Sequence, residues 1–80
     1  MKYTVYVLRD IKGSLYKGVT NDLVRRLKEH RLGKTITTSK MQSFEVAYTE
    51  EYDTFAEART RELYLKSAAG RRFLKTKLPP

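Results

Sequence analysis

The chain has no cysteine and no tryptophan. Without cysteine there is no disulfide and no Cys-based metal staple, so its 80 residues must fold by packing alone. The same absence gives no sign of an oxidising compartment. Long apolar runs are missing too. Val5-Tyr6-Val7-Leu8 is typical, too short for a membrane span or the core of a signal peptide. The expectation is a cytoplasmic chain with no membrane partner, nucleoid-associated in a prokaryote. Acidic residues are also few. Nine Asp and Glu stand against 17 Lys and Arg, for a formal net charge of +8. That surplus on one small domain, residues 1–80, fits a polyanionic partner, most simply nucleic acid.

The charge that is present is unevenly placed. Residues 1–44 hold ten basic and three acidic side chains, residues 45–64 two and six, and residues 65–80 five and none. A surface that only binds polyanions has no need of an acidic middle. An acidic segment between basic ones suits a site that binds phosphate and also holds a divalent cation through carboxylate oxygens. The plain alternative, expected for five of these six carboxylates, is the solvated face of a helix and its approach.

Tyr3 to Arg9 is rich in Tyr and Val and reads as a strand. Asp10-Ile11-Lys12-Gly13 is turn-like, and Ser14 to Thr20 continues as the second strand of a hairpin. Thr20 or Asn21 caps a helix that runs to Leu32 and ends at Gly33. Gly33 to Ser43 is a polar loop, and Phe44 to Thr49 a third strand. Thr54-Phe55-Ala56-Glu57 fits the S/T-x-x-E capping box. It opens a helix expected to last to Ala69 and stop at Gly70, before a short helix over 71–78. The order is β-β-α-β-α-(α), an α+β fold.

Some residues break the apolar pattern. On a helical wheel of about 100° per residue, Phe55, Ala58, Leu63, Leu65 and Ala69 fall on one face of the long helix. Glu62 lies within roughly 20° of the centre of that face. A bare buried carboxylate costs several kcal/mol. Glu62 must therefore be paired, protonated, exposed through a gap, or bound to a metal. In the first helix Leu23 and Leu27 define the inner face, and Arg26 and His30 project from one side of it at i and i+4. Arginine can fork onto phosphate, and histidine can move protons near neutral pH. A half-buried structural histidine is the plain alternative. Tyr6 and Tyr16 share a face only in an even register, for example with Tyr6 opposite Tyr16.

Together these residues match a known pattern. Thr4-Val5-Tyr6, Tyr16-Lys17-Gly18, Arg26 and His30 on a helix, and Glu62 on a later helix resemble the GIY-YIG nuclease domain. The stretch from Leu15 to His30 is similar to the small stand-alone members related to the excinuclease catalytic domain. So are Glu57 to Ser67 and Gly70-Arg71-Arg72-Phe73-Leu74. The resemblance implies a three-stranded antiparallel sheet flanked by helices, and hydrolysis of DNA phosphodiester bonds with Mg²⁺ or Mn²⁺. Carried over by position, Tyr6 and Tyr16 are the two motif tyrosines, Arg26 the helix arginine, His30 the polar residue one turn on, and Glu62 the metal ligand. The implied roles are Glu62 on the metal, Arg26 on the scissile phosphate, and Tyr6 or Tyr16 as general base, with His30 helping to shed the proton. For either tyrosine to act as base, Arg26 and the metal must lower its pKa.

The pattern is not complete. Thr4-Val5 replaces Gly-Ile, Lys17 replaces an aliphatic residue, and no Asn follows Asn21 although the family often has a late one. Lys17 alternates with Tyr16 and Gly18 and so points away from the site. Lys34, Lys40, Arg71, Arg72, Lys75 and Lys77 are candidates for tracking the DNA backbone. With no appended recognition module, the expected enzyme is structure-selective or weakly sequence-specific. It would act in DNA repair or processing, on branched or single-stranded DNA, as a monomer or weak dimer. Two other readings stand beside it: a catalytically weak or inactive DNA-binding module of the same fold, and a basic RNA-associated protein.

Overall fold

A computed structural model of the protein describes residues 2–32 and 43–78. Three strands and three helices follow in the order β1 (Tyr3–Arg9), β2 (Leu15–Thr20), α1 (Leu23–Arg31), β3 (Glu45–Tyr52), α2 (Phe55–Lys66) and α3 (Ala68–Lys77). The sheet is antiparallel with strand order β2-β1-β3. The α+β class and the element order are those expected from the sequence. The expected end of α1 at Gly33 and most of the polar loop lie outside the described residues.

The hairpin turn explains why β2 starts at Leu15. Asp10 Oδ1 accepts hydrogen bonds from the amides of Lys12 at 2.9 Å and Ser14 at 2.8 Å. Gly13 takes a φ of +86°, which a side chain would resist. The register is even and sets Tyr6 opposite Gly18 and Leu8 opposite Tyr16, so the two tyrosines are diagonal neighbours rather than directly opposed. The two rings still share a face, with centroids 6.2 Å apart.

Side chains alternate across β1 and so divide the molecule. Val5 and Val7 are fully buried and form the core with Ala58, Leu65 and Leu74 from α2 and α3. Burial of each such leucine stabilises by about 1.5–3 kcal/mol. Tyr6 and Leu8 occupy the opposite face, where Tyr6 meets His30 of α1.

The helix boundaries correct several expectations. Asp22, rather than Thr20 or Asn21, caps α1 by accepting from the Arg25 amide, while the Thr20 hydroxyl braces the Asp22 amide. β3 runs on to Tyr52, three residues past the expected end. The helix after Thr54 ends at Ser67, not Gly70. Ser67 closes α2 and its hydroxyl caps α3 at the Gly70 amide. Gly70 lies inside α3 and is buried because α2 presses on it. A Cβ there would collide with the Tyr64 carbonyl and the Leu65 Cα. The inner stripe of α2 is Ala58, Glu62 and Leu65, whereas Phe55, Leu63 and Ala69 are exposed. Leu63 stands roughly 100° from Glu62 on the wheel and so misses the core.

One tie between β3 and α2 gives no sequence signal. Glu50 leaves the solvated set expected for it. Its carboxylate accepts from Arg61 Nε at 2.9 Å and Arg61 Nη2 at 3.2 Å, from Tyr52 at 2.6 Å, and from Tyr48. These donors outweigh burial and hold the Glu50 carboxyl below its ordinary pKa. The Arg61 guanidinium also lies over the rings of Tyr64 and Phe73, at 4.8 and 4.7 Å. This clamp fixes the helix at the residue next to Glu62.

Candidate active site

Tyr6, Tyr16, Arg26 and His30 come together on the α1 side of the sheet. The Tyr6 hydroxyl lies 2.9 Å from His30 Nε2 and accepts a hydrogen bond from Arg26 Nε at 3.3 Å. The His30 ring meets Tyr16 edge to face at 5.0 Å and Phe44 at 6.2 Å. Arg26 Nη1 donates to Glu29 at 2.9 Å. Tyr6 and His30 are each 1% exposed, so the cluster is built into the protein rather than displayed on it.

Gly18 makes room for this arrangement. A Cβ at Gly18 would stand 2.5 Å from the Tyr6 oxygen and 2.6 Å from Cζ. The Tyr6 ring thus lies over the residue opposite it on β2, which must have no side chain.

The electrostatics follow from burial. Burial raises the Tyr6 pKa, as does the neighbouring Tyr16, while the Arg26 charge and hydrogen bond lower it. The net effect pushes the phenol up to about 12. Arg26 acts in the expected direction, but burial outweighs it. His30 moves the other way. Burial and the Arg26 charge push its pKa below the ordinary 6.5, and Glu29 only partly opposes them. A protonated phenol therefore faces a neutral imidazole at neutral pH. When His30 carries its proton on Nδ1, the phenol donates to Nε2.

Glu62 is placed on α2, where it is 6% exposed. It is held there by Arg59 at 2.5 Å and Lys66 at 3.3 Å, two half-exposed side chains of its own helix. Phe55 and Glu62 are seven residues apart, so they lie within about 20° of each other around α2. Phe55 borders the same groove as Arg26. Glu62 nevertheless belongs to the inner stripe of α2 with Ala58 and Leu65, the helix that packs on the Val5 and Val7 face of the sheet. Among the described residues no group of three or more acidic or histidine side chains gathers as a metal cage. A hydrated Mg²⁺ or Mn²⁺, which binds through one or two carboxylates and keeps several waters, fits Glu62 once the half-exposed Arg59 or Lys66 swings off its oxygen.

The remaining candidates separate from this patch. Arg71, Arg72, Lys75 and Lys77 are exposed on α3. Arg71, Arg72 and Lys75 fall within about 100° of one another, and Lys77 lies apart over the Phe73 ring at 5.6 Å. Lys17 pairs with Val7 on the helix-covered face. Burial and the nearby Arg71 and Lys66 charges push its pKa down. Lys34 and Lys40 lie outside the described residues.

A three-stranded antiparallel sheet carries a buried tyrosine and histidine joined to a half-buried arginine on one face, with a buried glutamate on the later helix α2. A model of the GIY-YIG catalytic domain matches residues 2–76, and the chain belongs to that family, which is one of endonucleases. Among its relatives is a UPF0213 protein of Oceanobacillus iheyensis, 37% identical over 78 residues, covering 96% of this chain and 88% of that one. A UPF0213 protein of Vibrio parahaemolyticus is 34% identical over 65 residues, or 80% of this chain. That match spans only 61% of the Vibrio protein. The solution structure of a UPF0213 protein from Bacillus halodurans shares the fold, with a TM-score of 0.59 and 32% identity. It covers 95% of this chain and 84% of that one.

Proposed function

We propose that residues 1–80 act as one divalent-metal-dependent endonuclease domain that hydrolyses DNA phosphodiester bonds. Its cutting would be structure-selective or weakly sequence-specific, in DNA repair or processing. The observation that carries this reading is the buried Tyr6 phenol held between the neutral His30 imidazole and the Arg26 guanidinium. A phenol with a pKa of about 12 is a poor base alone at neutral pH. Joined to a neutral imidazole it becomes a relay. As Tyr6 takes a proton from the attacking water, it passes its own proton to His30 Nε2. Arg26 stabilises the negative charge that builds on the Tyr6 oxygen and, with further N–H donors, that on the phosphate. Tyr16 packs against His30 and keeps the ring in place. Glu62 would hold Mg²⁺ or Mn²⁺, which supplies charge neutralisation at the phosphate and leaving oxygen.

The relay predicts a particular pH dependence. His30 must be neutral to accept the proton, and its pKa lies below 6.5. Under single-turnover conditions the cleavage rate should rise tenfold per pH unit below that value and then level off through neutral pH. In His30→Gln that limb should disappear. A rate that keeps climbing through neutral pH toward the phenol pKa would instead make ionised Tyr6 the base and remove His30 from the relay.

A further inference from the structure

The groove beside Arg26 takes no part in proton transfer. It is about 310 Å³ in volume and opens where the end of β2 leads into α1 and meets the start of α2. That is near the lower end of the range for small-molecule sites, about 300–1,000 Å³. Tyr3 and Phe55 form one wall, edge to face at 5.8 Å. Phe55 is the first residue of α2 and is 53% exposed, although its wheel position shares the flank of buried Glu62. The ring is held on one edge by Tyr3 and at its backbone by the Thr54 cap. Val19, Thr20, Asn21, Arg25, Arg26 and Glu29 also line the groove.

This lining selects a chemistry. The two guanidiniums of the lining are already engaged, Arg26 with Glu29 at 2.9 Å and Arg25 with Asn21 at 3.4 Å, so a free phosphate would have to compete with those partners. A flat ring with donors and acceptors on its edge meets no such conflict. Its face stacks on Phe55, while its edge meets the Asn21 amide and the Glu29 carboxylate, an acceptor for exocyclic amino groups. Arg26 belongs both to the groove and to the Tyr6 cluster. A ring in the groove therefore lies one residue's reach from a phosphate engaged at the site. We propose that the groove holds one unpaired nucleobase of the strand being cut, stacked on Phe55 beside the phosphate that Arg26 engages. This rests on the nuclease reading and gives it a source of structure selectivity. A base paired in continuous duplex is not available to stack here, whereas one at a single strand, branch or bulge is.

The test is a binding measurement made in EDTA, so that cutting plays no part. Short single-stranded oligonucleotides carry the fluorescent base 2-aminopurine, or an abasic site, at successive positions. Wild-type protein should quench the fluorophore at one position, and an abasic site there should weaken binding roughly tenfold, the effect of losing one base–aromatic stack. Phe55→Leu keeps an apolar side chain and removes the ring. It should abolish the quenching and flatten the abasic scan at an unchanged melting temperature. Equal quenching by wild type and Phe55→Leu, a flat scan in wild type, or no single-strand binding at all overturns the groove proposal. Metal-dependent cutting with a flat scan removes the groove but leaves the nuclease reading standing. A peaked scan without any cutting keeps the groove and removes the nuclease.

Discussion

Gly18→Ala should slow DNA cleavage about a hundredfold while the chain stays folded. The added Cβ would lie 2.5 Å from the Tyr6 oxygen, whereas ordinary contact begins near 3.4 Å. The ring must give way by roughly 1 Å, the scale of misplacement that costs about a hundredfold in rate. It has no open space to enter, because Tyr6 is 1% exposed. The 2.9 Å approach to His30 and the 3.3 Å bond from Arg26 are what the shift breaks. The overpacking itself costs about 1–3 kcal/mol, within the stability of a typical small domain. Single-turnover rates paired with thermal melts separate the two effects. A Gly18→Ala protein that cuts at the parent rate would show that the Tyr6 position does not matter for the chemistry.

Replacing Glu62 should remove cleavage and spare DNA binding. Loss of the metal ligand forfeits several kcal/mol of transition-state stabilisation, and each 1.36 kcal/mol is tenfold in rate. A fall of at least about a thousandfold is expected for Glu62→Ala. Binding in EDTA should hold or tighten, because a negative charge goes and the Arg59 and Lys66 cations it held are released. Glu62→Gln controls for structure. It keeps the volume and can still accept from Arg59, so its melting temperature should stay near the parent's. Parent-level cutting by Glu62→Gln would assign Glu62 to the plain alternative, an ion pair on the flank of α2.

Much of the scaffold could be read from local chemistry. Tyr and Val in β1, the Asp10–Gly13 turn and the Thr54–Glu57 cap each carry their structure within a few residues. Glu62 could be singled out because a carboxylate on an apolar stripe is locally anomalous, and it is buried. What could not be read depends on contacts made only after folding. Gly70 looks like a helix stop in the sequence, but the reason for glycine is the Tyr64–Leu65 backbone pressing on α3. Glu50 shows no tension until α2 brings Arg61, 11 residues on, against β3. The Tyr6–Tyr16 relation hinged on register, and Gly18, opposite Tyr6, reveals its purpose only when the Tyr6 ring is seen lying over it. The groove left no trace in the pattern, because Phe55 looks like a core residue by spacing alone. Arg26 and His30 were legible as a pair on one helix face, but the upward shift of the Tyr6 pKa comes from three-dimensional burial.

If the buried phenol and imidazole and the half-buried guanidinium serve metal-dependent cleavage of DNA, one experiment should show it. The protein is incubated under single-turnover conditions with labelled branched, single-stranded and duplex DNA, and with matched RNA, in Mg²⁺, Mn²⁺ or EDTA. DNA should be cut in either metal, fastest where an unpaired base is present. The cutting should stop when EDTA is added and be lost in Tyr6→Phe. Binding of every DNA without cutting in any metal, or cutting that persists in EDTA or in Tyr6→Phe, would show that the cluster does other work.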